Sequence, residues 1–234
     1  MQLVIGNKNY SSWSMRPWVL MRQAGIAFEE VLLRFDGFAP DSRFQRELAA
    51  YTPARRVPVL IDGDGDGDGD GAFSVWDTLA IAEYLAEKFP QARLWPDDVR
   101  ARARARSVCA EMHAGFPALR SHCPMNVEAS LPEVGARLMR EQPAVGTDLE
   151  RIVALWSELL QQHGGPLLFG RFTIADAYFA PVCSRLRTYA LPVPPRIAAY
   201  VEAVHALPGV QAWVKDALEE REFLDFEEPY RSSR

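Results

Sequence analysis

Two adjacent hydroxyls, Ser11 and Ser12, fall between a short apolar run at residues 3–5 and the segment MRPWVLMRQAG at residues 15–25. Pro17 suits a first helical turn and Gly25 a C-cap, so the serines occupy a strand-to-helix turn. Such a turn aims free N–H groups and the positive end of the helix dipole at whatever lies beside it. A thiolate or another anion would be stabilised there. Serines in this position also serve as plain caps, and the local sequence supports either role. Val57-Pro58 opens an apolar run at residues 57–61. A cis bond there would turn the Val57 N–H and C=O away from a sheet and offer an extended peptide a partner. An ordinary edge proline is the alternative. Asp77-Thr78 opens another helical pattern, where first-turn N–H groups and Thr78 could take a carboxylate and Asp77 an ammonium. A plain N-cap explains the same pair. Arg55 and Arg56 could meet a second carboxylate or stay solvated.

The elements that must place these residues follow a simple order. Residues 3–5 read as a buried strand, 15–25 as a helix and 28–35 as a second strand, which together suggest a right-handed parallel βαβ unit. Asp41 or Ser42 could cap a short helix through residue 50. Residues 51–61 and 72–76 read as an antiparallel hairpin, and Asp77 or Thr78 caps TLAIAEYLAEKF, which Pro90 ends. Residues 91–98 read as a linker. Beyond it, helical patterns cover 99–122, 130–141, 147–163, 173–189, 195–207 and 210–221, separated by proline and glycine breakers. The expectation is an α/β half followed by an all-α half.

A length of 234 residues allows one large domain or two smaller ones, either with an ample core. A net charge of −5 gives no reason to expect a nucleic-acid partner. The N-terminus has neither a basic region nor an apolar run of signal-peptide length, and no window approaches the ~18 apolar residues of a membrane span. The widely spaced Cys109, Cys123 and Cys183 argue for reduced thiols in a cytoplasmic protein, and against a disulfide framework or a metal site. His113, His122, His163 and His205 show no triad or metal-ligand spacing and receive no chemistry. The acidic repeat at residues 62–71 approaches a calcium loop, with Asp66, Asp68, Asp70, Gly71 and Asp77 in register. Its flanks are strands and its twelfth residue is not glutamate, so an extended hairpin tip is the favoured reading. Arg100, Arg102, Arg104 and Arg106 wind around a helix rather than forming a stripe, which suits solvated or interfacial arginines. Thr173-Ile-Ala-Asp176 has capping-box spacing before an apolar helix.

Four of these signals occur in a fixed order: YSSWSMR, RRVPVL, VWDTLAIAEYL and FTIADAYFAP. In that order they resemble the cytosolic glutathione transferases, over nearly the whole chain. YSSWSMR is similar to the SSCxxR-type motif of the zeta class, with Trp13 where that class has cysteine. RRVPVL resembles the cis-proline strand, VWDTLAIAEYL the following strand–helix motif, and FTIADAYFAP the helix-capping motif of the C-terminal domain.

The resemblance implies a thioredoxin-like, glutathione-binding domain at residues 1–90, a linker at 91–98, and an all-helical glutathione-transferase C-terminal domain at 99–234. It implies that Ser11, with Ser12 as the fallback, stabilises the thiolate of glutathione, the co-substrate. Val57 would bind the cysteinyl backbone across cis-Pro58, Asp77 and Thr78 the γ-glutamyl end, and Arg56 would lie near the glycyl end. Asp77 is one methylene shorter than the family's usual glutamate. The electrophile pocket should lie between the domains, with Met112, Phe116, Arg120, Cys123, Met125 and Asn126 as candidates from the helical half and Trp13 and Phe38 from the first. The implied activity is conjugation of glutathione to a small hydrophobic electrophile in a cytoplasmic homodimer, without metal, membrane or nucleic acid. A glutathione-dependent isomerase of the maleylacetoacetate type is the alternative enzyme, and a non-catalytic glutathione-binding stress or adaptor protein the alternative from another class.

Overall fold

The structure is a computed structural model, and it describes residues 1–63 and 73–234. The calcium-loop pattern centred on Asp66–Asp70 therefore lies outside the described residues. Strands β1 (Gln2–Ile5), β2 (Glu29–Leu32), β3 (Val59–Asp62) and β4 (Phe73–Trp76) form one four-stranded sheet in the order β2-β1-β3-β4. β1 and β2 pair in parallel, while β1–β3 and β3–β4 are antiparallel. Helix α1 (Ser12–Gln23) makes the parallel crossover, α2 (Arg43–Leu48) follows β2, and α3 (Thr78–Lys88) follows β4. The two-residue period of a strand divides β1 between two cores. Leu3 and Ile5 join Met15, Val19, Ile81 and Leu85 on the α1/α3 face, whereas Val4 joins Phe35, Phe44 and Leu48 on the α2 face.

Residues 99–234 carry helices and no strand: α4 (Val99–Ala114), α5 (Pro117–His122), α6 (Pro132–Glu141), α7 (Pro143–His163), α8 (Ile174–Thr188), α9 (Pro195–His205) and α10 (Pro208–Glu220). Three boundaries differ from the sequence expectation for physical reasons. The helix expected over 99–122 breaks at Gly115 and Phe116, the latter with φ +57°, so α5 starts afresh at Pro117. Pro143 and Pro208, read as separators, are instead the first residues of α7 and α10. Proline lacks an N–H that the first helical turn would not use, so it can start a helix as readily as end one.

Almost every residue of α8 is buried, and the helix packs on α1, α4 and α9. Its N-terminus is fixed by Asp176. The Asp176 carboxylate accepts from the Thr173 N–H at 2.9 Å and the Thr173 hydroxyl at 3.2 Å. It also accepts from the Leu168 N–H at 3.1 Å and the Tyr200 hydroxyl at 3.3 Å. Burial still pushes Asp176 up to about 6, against the pull of those donors. Among the described residues no helix is long and apolar enough to cross a membrane.

Thr173→Ala should lower unfolding free energy by about 1–2 kcal/mol, the worth of a cap. Asp176→Ala should cost more, about 3 kcal/mol, because it strands several buried donors at once. Urea unfolding followed by circular dichroism measures both, and equal losses would show that the carboxylate is not the hub.

Candidate active site

The turn that carries the serines is held from outside itself. Asn7, Lys8, Asn9 and Tyr10 are all buried. Asn7 Oδ1 accepts from the Phe35 N–H at 2.7 Å, and Asn7 Nδ2 donates to Glu222 at 2.7 Å. The Lys8 N–H donates to Glu220 at 2.7 Å, and Lys8 Nζ sits 2.6 Å from Asp216 and 2.7 Å from Glu30. The Tyr10 hydroxyl donates to Glu228 at 2.8 Å. Gly6 lies against the Phe35 ring, where a Cβ would approach to 2.1 Å, so only glycine fits before this turn.

Within that frame the serines differ. Ser11 caps α1: its Oγ accepts from the Ser14 N–H at 3.4 Å and donates to Ser14 Oγ at 2.7 Å, which in turn accepts from the Gly6 N–H at 3.1 Å. Ser12 is the first residue of α1, half-buried, and its hydroxyl has no hydrogen-bond partner among the described residues. Ser12 borders two cavities. One, about 430 Å³, is bounded also by Ser11, Phe38, Arg56 and Val57. The other, about 390 Å³, is bounded also by Arg120, Met125 and Arg185. Tyr10, Trp13 and Glu227 border both. A larger hollow of about 720 Å³ beside Asp97, Arg100 and Arg104 is lined by none of the candidate residues.

Val57-Pro58 is a cis peptide, with Val57 facing the first cavity. Asp77 and Thr78 lie outside both cavities. Asp77 holds φ +73° and ψ 133°, a backbone region that costs a non-glycine residue of order 1–3 kcal/mol. The Leu79 N–H donating to Asp77 Oδ1 at 2.8 Å helps to hold it there. The Thr78 hydroxyl is 2.7 Å from the Tyr178 hydroxyl, which also lies 3.4 Å from His113 Nδ1. His113 Nε2 is 3.3 Å from Asp77 Oδ2. The helical half thus closes a ring of contacts on the Asp77-Thr78 corner. His113 escaped the sequence reading, since nothing in its spacing relates it to Asp77.

Of the residues expected to face an electrophile, Trp13, Phe38, Arg120 and Met125 line cavities, but Met112 and Phe116 do not. Both are packed in the core at 0% and 5% exposure, Met112 on α4, which packs against α8, and Phe116 in the break between α4 and α5. Cys123 and Asn126 are also buried, and Asn126 Nδ2 donates to Glu228 at 2.8 Å. Trp13, where a cysteine was the comparison, is a stacking platform. The Arg16 guanidinium lies 4.1 Å and that of Arg120 4.9 Å from its ring, with the His113 ring at 5.0 Å. Arg16 and Arg185 are buried and pair with no carboxylate among the described residues; Arg16 donates to the Tyr178 and Ser12 carbonyls and Arg185 to the Cys123 and Pro181 carbonyls. Burial, reinforced by mutual repulsion with Arg120, pulls Arg16 down to about 9 and Arg185 down to about 10.

Profiles of the glutathione S-transferase N-terminal domain and C-terminal domain match residues 10–88 and 101–216 respectively. The chain belongs to the glutathione S-transferase family. A zeta-class glutathione S-transferase of Euphorbia esula is 25% identical over 177 residues, covering 73% of this chain and 70% of that protein. A Burkholderia glutathione transferase homologue, solved with bound glutathione, is 28% identical with a TM-score of 0.64, covering 94% of this chain and 98% of that one. A bacterial zeta-class maleylpyruvate isomerase shares the fold at 19% identity and a TM-score of 0.65, covering 93% of this chain and 98% of its own.

Replacing Ser11 by alanine should lower stability by about 1 kcal/mol, since it removes a cap and a buried partner of Ser14. Ser12→Ala should change stability by less than about 0.5 kcal/mol. Chemical denaturation of the two variants checks this, and equal losses would contradict the division of labour.

Proposed function

We propose that this protein is a glutathione transferase in which the Ser12 hydroxyl stabilises the glutathione thiolate for attack on an electrophile in the second cavity. Ser11 then serves chiefly to cap α1. The observation that carries this reading is the unpartnered Ser12 hydroxyl at the first turn of α1, on the border of both cavities. A free thiol with a pKa near ~8.5 is only a few per cent ionised at neutral pH. A hydroxyl donating to the sulfur, beside a helix N-terminus, favours the charged form. One such charge-assisted bond contributes about 1.5–3 kcal/mol, equivalent to roughly one to two pKa units.

Glutathione would lie along the first cavity, its cysteinyl backbone against Val57 across cis-Pro58. Arg56 would be near its glycyl carboxylate, and its γ-glutamyl end would reach the first turn of α3. Asp77, held in its unusual backbone conformation, suits the ammonium there. The bound glutathione of the Burkholderia homologue supports the assignment of the co-substrate. The proposal keeps residues 1–90 as the glutathione-binding domain, 91–98 as linker and 99–234 as the helical domain, in a cytoplasmic homodimer. Phe73 and Trp76, exposed on edge strand β4, support a paired surface.

A second reading, isomerisation of a maleylacetoacetate-type dicarboxylate, draws on a different observation. Arg120 and Arg185 border the second cavity and donate to backbone carbonyls, with no carboxylate within ion-pair distance among the described residues. Arginines at a cavity wall without an acidic partner, Arg185 buried and Arg120 half-buried, favour a ligand that brings its own carboxylate. Similarity to a zeta-class relative also supports this reading. On it, Arg185→Met should reduce kcat/KM for the dicarboxylate at least ten-fold more than for 1-chloro-2,4-dinitrobenzene. Equal losses would remove the arginine from substrate recognition.

Ser12→Ala should slow conjugation of 1-chloro-2,4-dinitrobenzene at neutral pH by roughly 10- to 150-fold in kcat/KM, matching about 1.5–3 kcal/mol. Ser11→Ala should lose much less. Steady-state conjugation assays on both variants test the assignment, and an unchanged rate for Ser12→Ala would end it. Glutathione binding without any turnover would instead support the adaptor alternative.

A further inference from the structure

The segment after α10 returns across the serine turn as a strap. The Tyr10 hydroxyl contacts the Glu222 carbonyl at 3.2 Å, and the Phe226 ring meets Phe38 edge-on at 5.5 Å. The Tyr230 hydroxyl ties the strap's far end to the His122 carbonyl at 2.7 Å. Two of its glutamates are fully engaged: Glu222 with Asn7 and Arg34, and Glu228 with Tyr10, Asn126 and Arg231. Glu227 is different. It lies in a single 3-10 turn (Asp225–Glu227), is half-buried, and its carboxyl makes no hydrogen bond or ion pair with the described residues. It borders both cavities, as do Ser12 and Trp13. A free carboxyl group is thereby placed where a bound thiolate and an electrophile would meet.

We propose that Glu227 is a general acid that protonates an activated alkene after sulfur has added to it. The step rests on the glutathione-transferase reading above. The thiolate lone pair forms the C–S bond, and the C=C π pair shifts onto the adjacent carbonyl as an enolate. The enolate carbon takes the proton from Glu227 as a new C–H bond. The Glu227 carboxylate left behind regains a proton from water, balancing the proton the thiol released on ionising. Substitution at an aryl halide needs no such proton, because the electron pair leaves with halide. The same site would therefore favour addition over substitution.

The setting suits the role. Burial, with a further push from the adjacent Glu228, raises Glu227 to about 7, so much of it carries a proton at neutral pH. A general acid works best with its pKa near the operating pH. The other charged or titratable groups on the two cavities are Tyr10, Arg55, Arg56, Arg120 and Arg185. Of these, Arg120 and Arg185 border the cavity that would hold the electrophile, where they would steady a developing enolate oxygen. Because Glu227 is raised, its acid form prevails below about 7 and is lost as pH rises through that value.

The test compares wild type, Glu227→Gln and Asp225→Asn in kcat/KM for two glutathione reactions. One is addition to trans-4-phenylbut-3-en-2-one and the other substitution of 1-chloro-2,4-dinitrobenzene, each from pH 6 to 8.5. Both rates are read on one preparation, so loss of folded protein cancels in their ratio. In Glu227→Gln the addition-to-substitution ratio should fall at least ten-fold at pH 6.5 and become independent of pH. In wild type and Asp225→Asn it should fall as pH rises through about 7. A ratio in Glu227→Gln equal to wild type across the range, or a wild type that substitutes but does not add, overturns the role of Glu227 alone. A wild type that neither binds glutathione by calorimetry nor catalyses either reaction overturns the functional reading with it.

Discussion

The structure depends on one long-range mesh: residues 7–10 of the serine turn are held by carboxylates at Asp216, Glu220, Glu222 and Glu228. A turn of that length has too few backbone partners of its own, and a buried orphan donor costs of order 1–3 kcal/mol. Here the missing acceptors come from the end of the chain. The Lys8 N–H and the Asn7 amide both reach α10 or its continuation, and Lys8 Nζ is pinned between Glu30 and Asp216 over the Trp18 ring. The acceptors show their confinement. Burial raises Glu220 although three donors pull it down, whereas Glu228, which burial also pushes upward, is held below the usual range by Arg231, Tyr10 and Asn126. The serines can therefore keep a fixed geometry through these side-chain contacts.

That arrangement makes the thioredoxin-like half dependent on the helical half. The Asp77-Thr78 corner repeats the pattern: its contacts end at His113 on α4 and Tyr178 on α8. Arg16, in the middle of α1, donates to the Tyr178 carbonyl at 3.1 Å. The serine turn and the Asp77-Thr78 corner, both proposed to meet glutathione, are thus completed by residues more than thirty positions away in sequence. Contacts of such separation form only once the intervening chain has been ordered. A properly assembled site therefore reports a properly docked pair of domains.

The fold was legible from the sequence because its signals are local. The apolar run of β1, the proline-bounded helical patterns and the Thr173–Asp176 capping spacing each depend on neighbours a few residues apart. Candidate site residues could be named from the sequence only where a motif lay in one stretch, as at residues 11–12, 57–58 and 77–78. What failed was anything decided by packing. Met112 and Phe116 were expected to face a ligand by helical spacing, yet α4 packs Met112 inside against its neighbours and the helix breaks before Phe116, which is also buried. His113 and Glu227 were invisible because their relevance comes from Asp77, Ser12 and Trp13, at distances in sequence that no periodicity spans.

Charge placement around Trp13 gives the two cavities different characters. A tryptophan face attracts cations, at about 0.5–1 kcal/mol when exposed and about 2 or more when desolvated. Arg16 and Arg120 both lie within that range of the ring, and Arg185 stands nearby in the same cavity wall as Arg120. Three guanidinium groups near one another repel, and burial pulls Arg16 and Arg185 downward as a result of lost hydration first and that repulsion second. A cysteine at residue 13 would offer no π face to offset either cost. Trp13 can therefore be understood as the residue that lets an arginine-rich wall persist beside the serine turn, and the positive potential of that wall as an influence that would hold nearby sulfur in its anionic form.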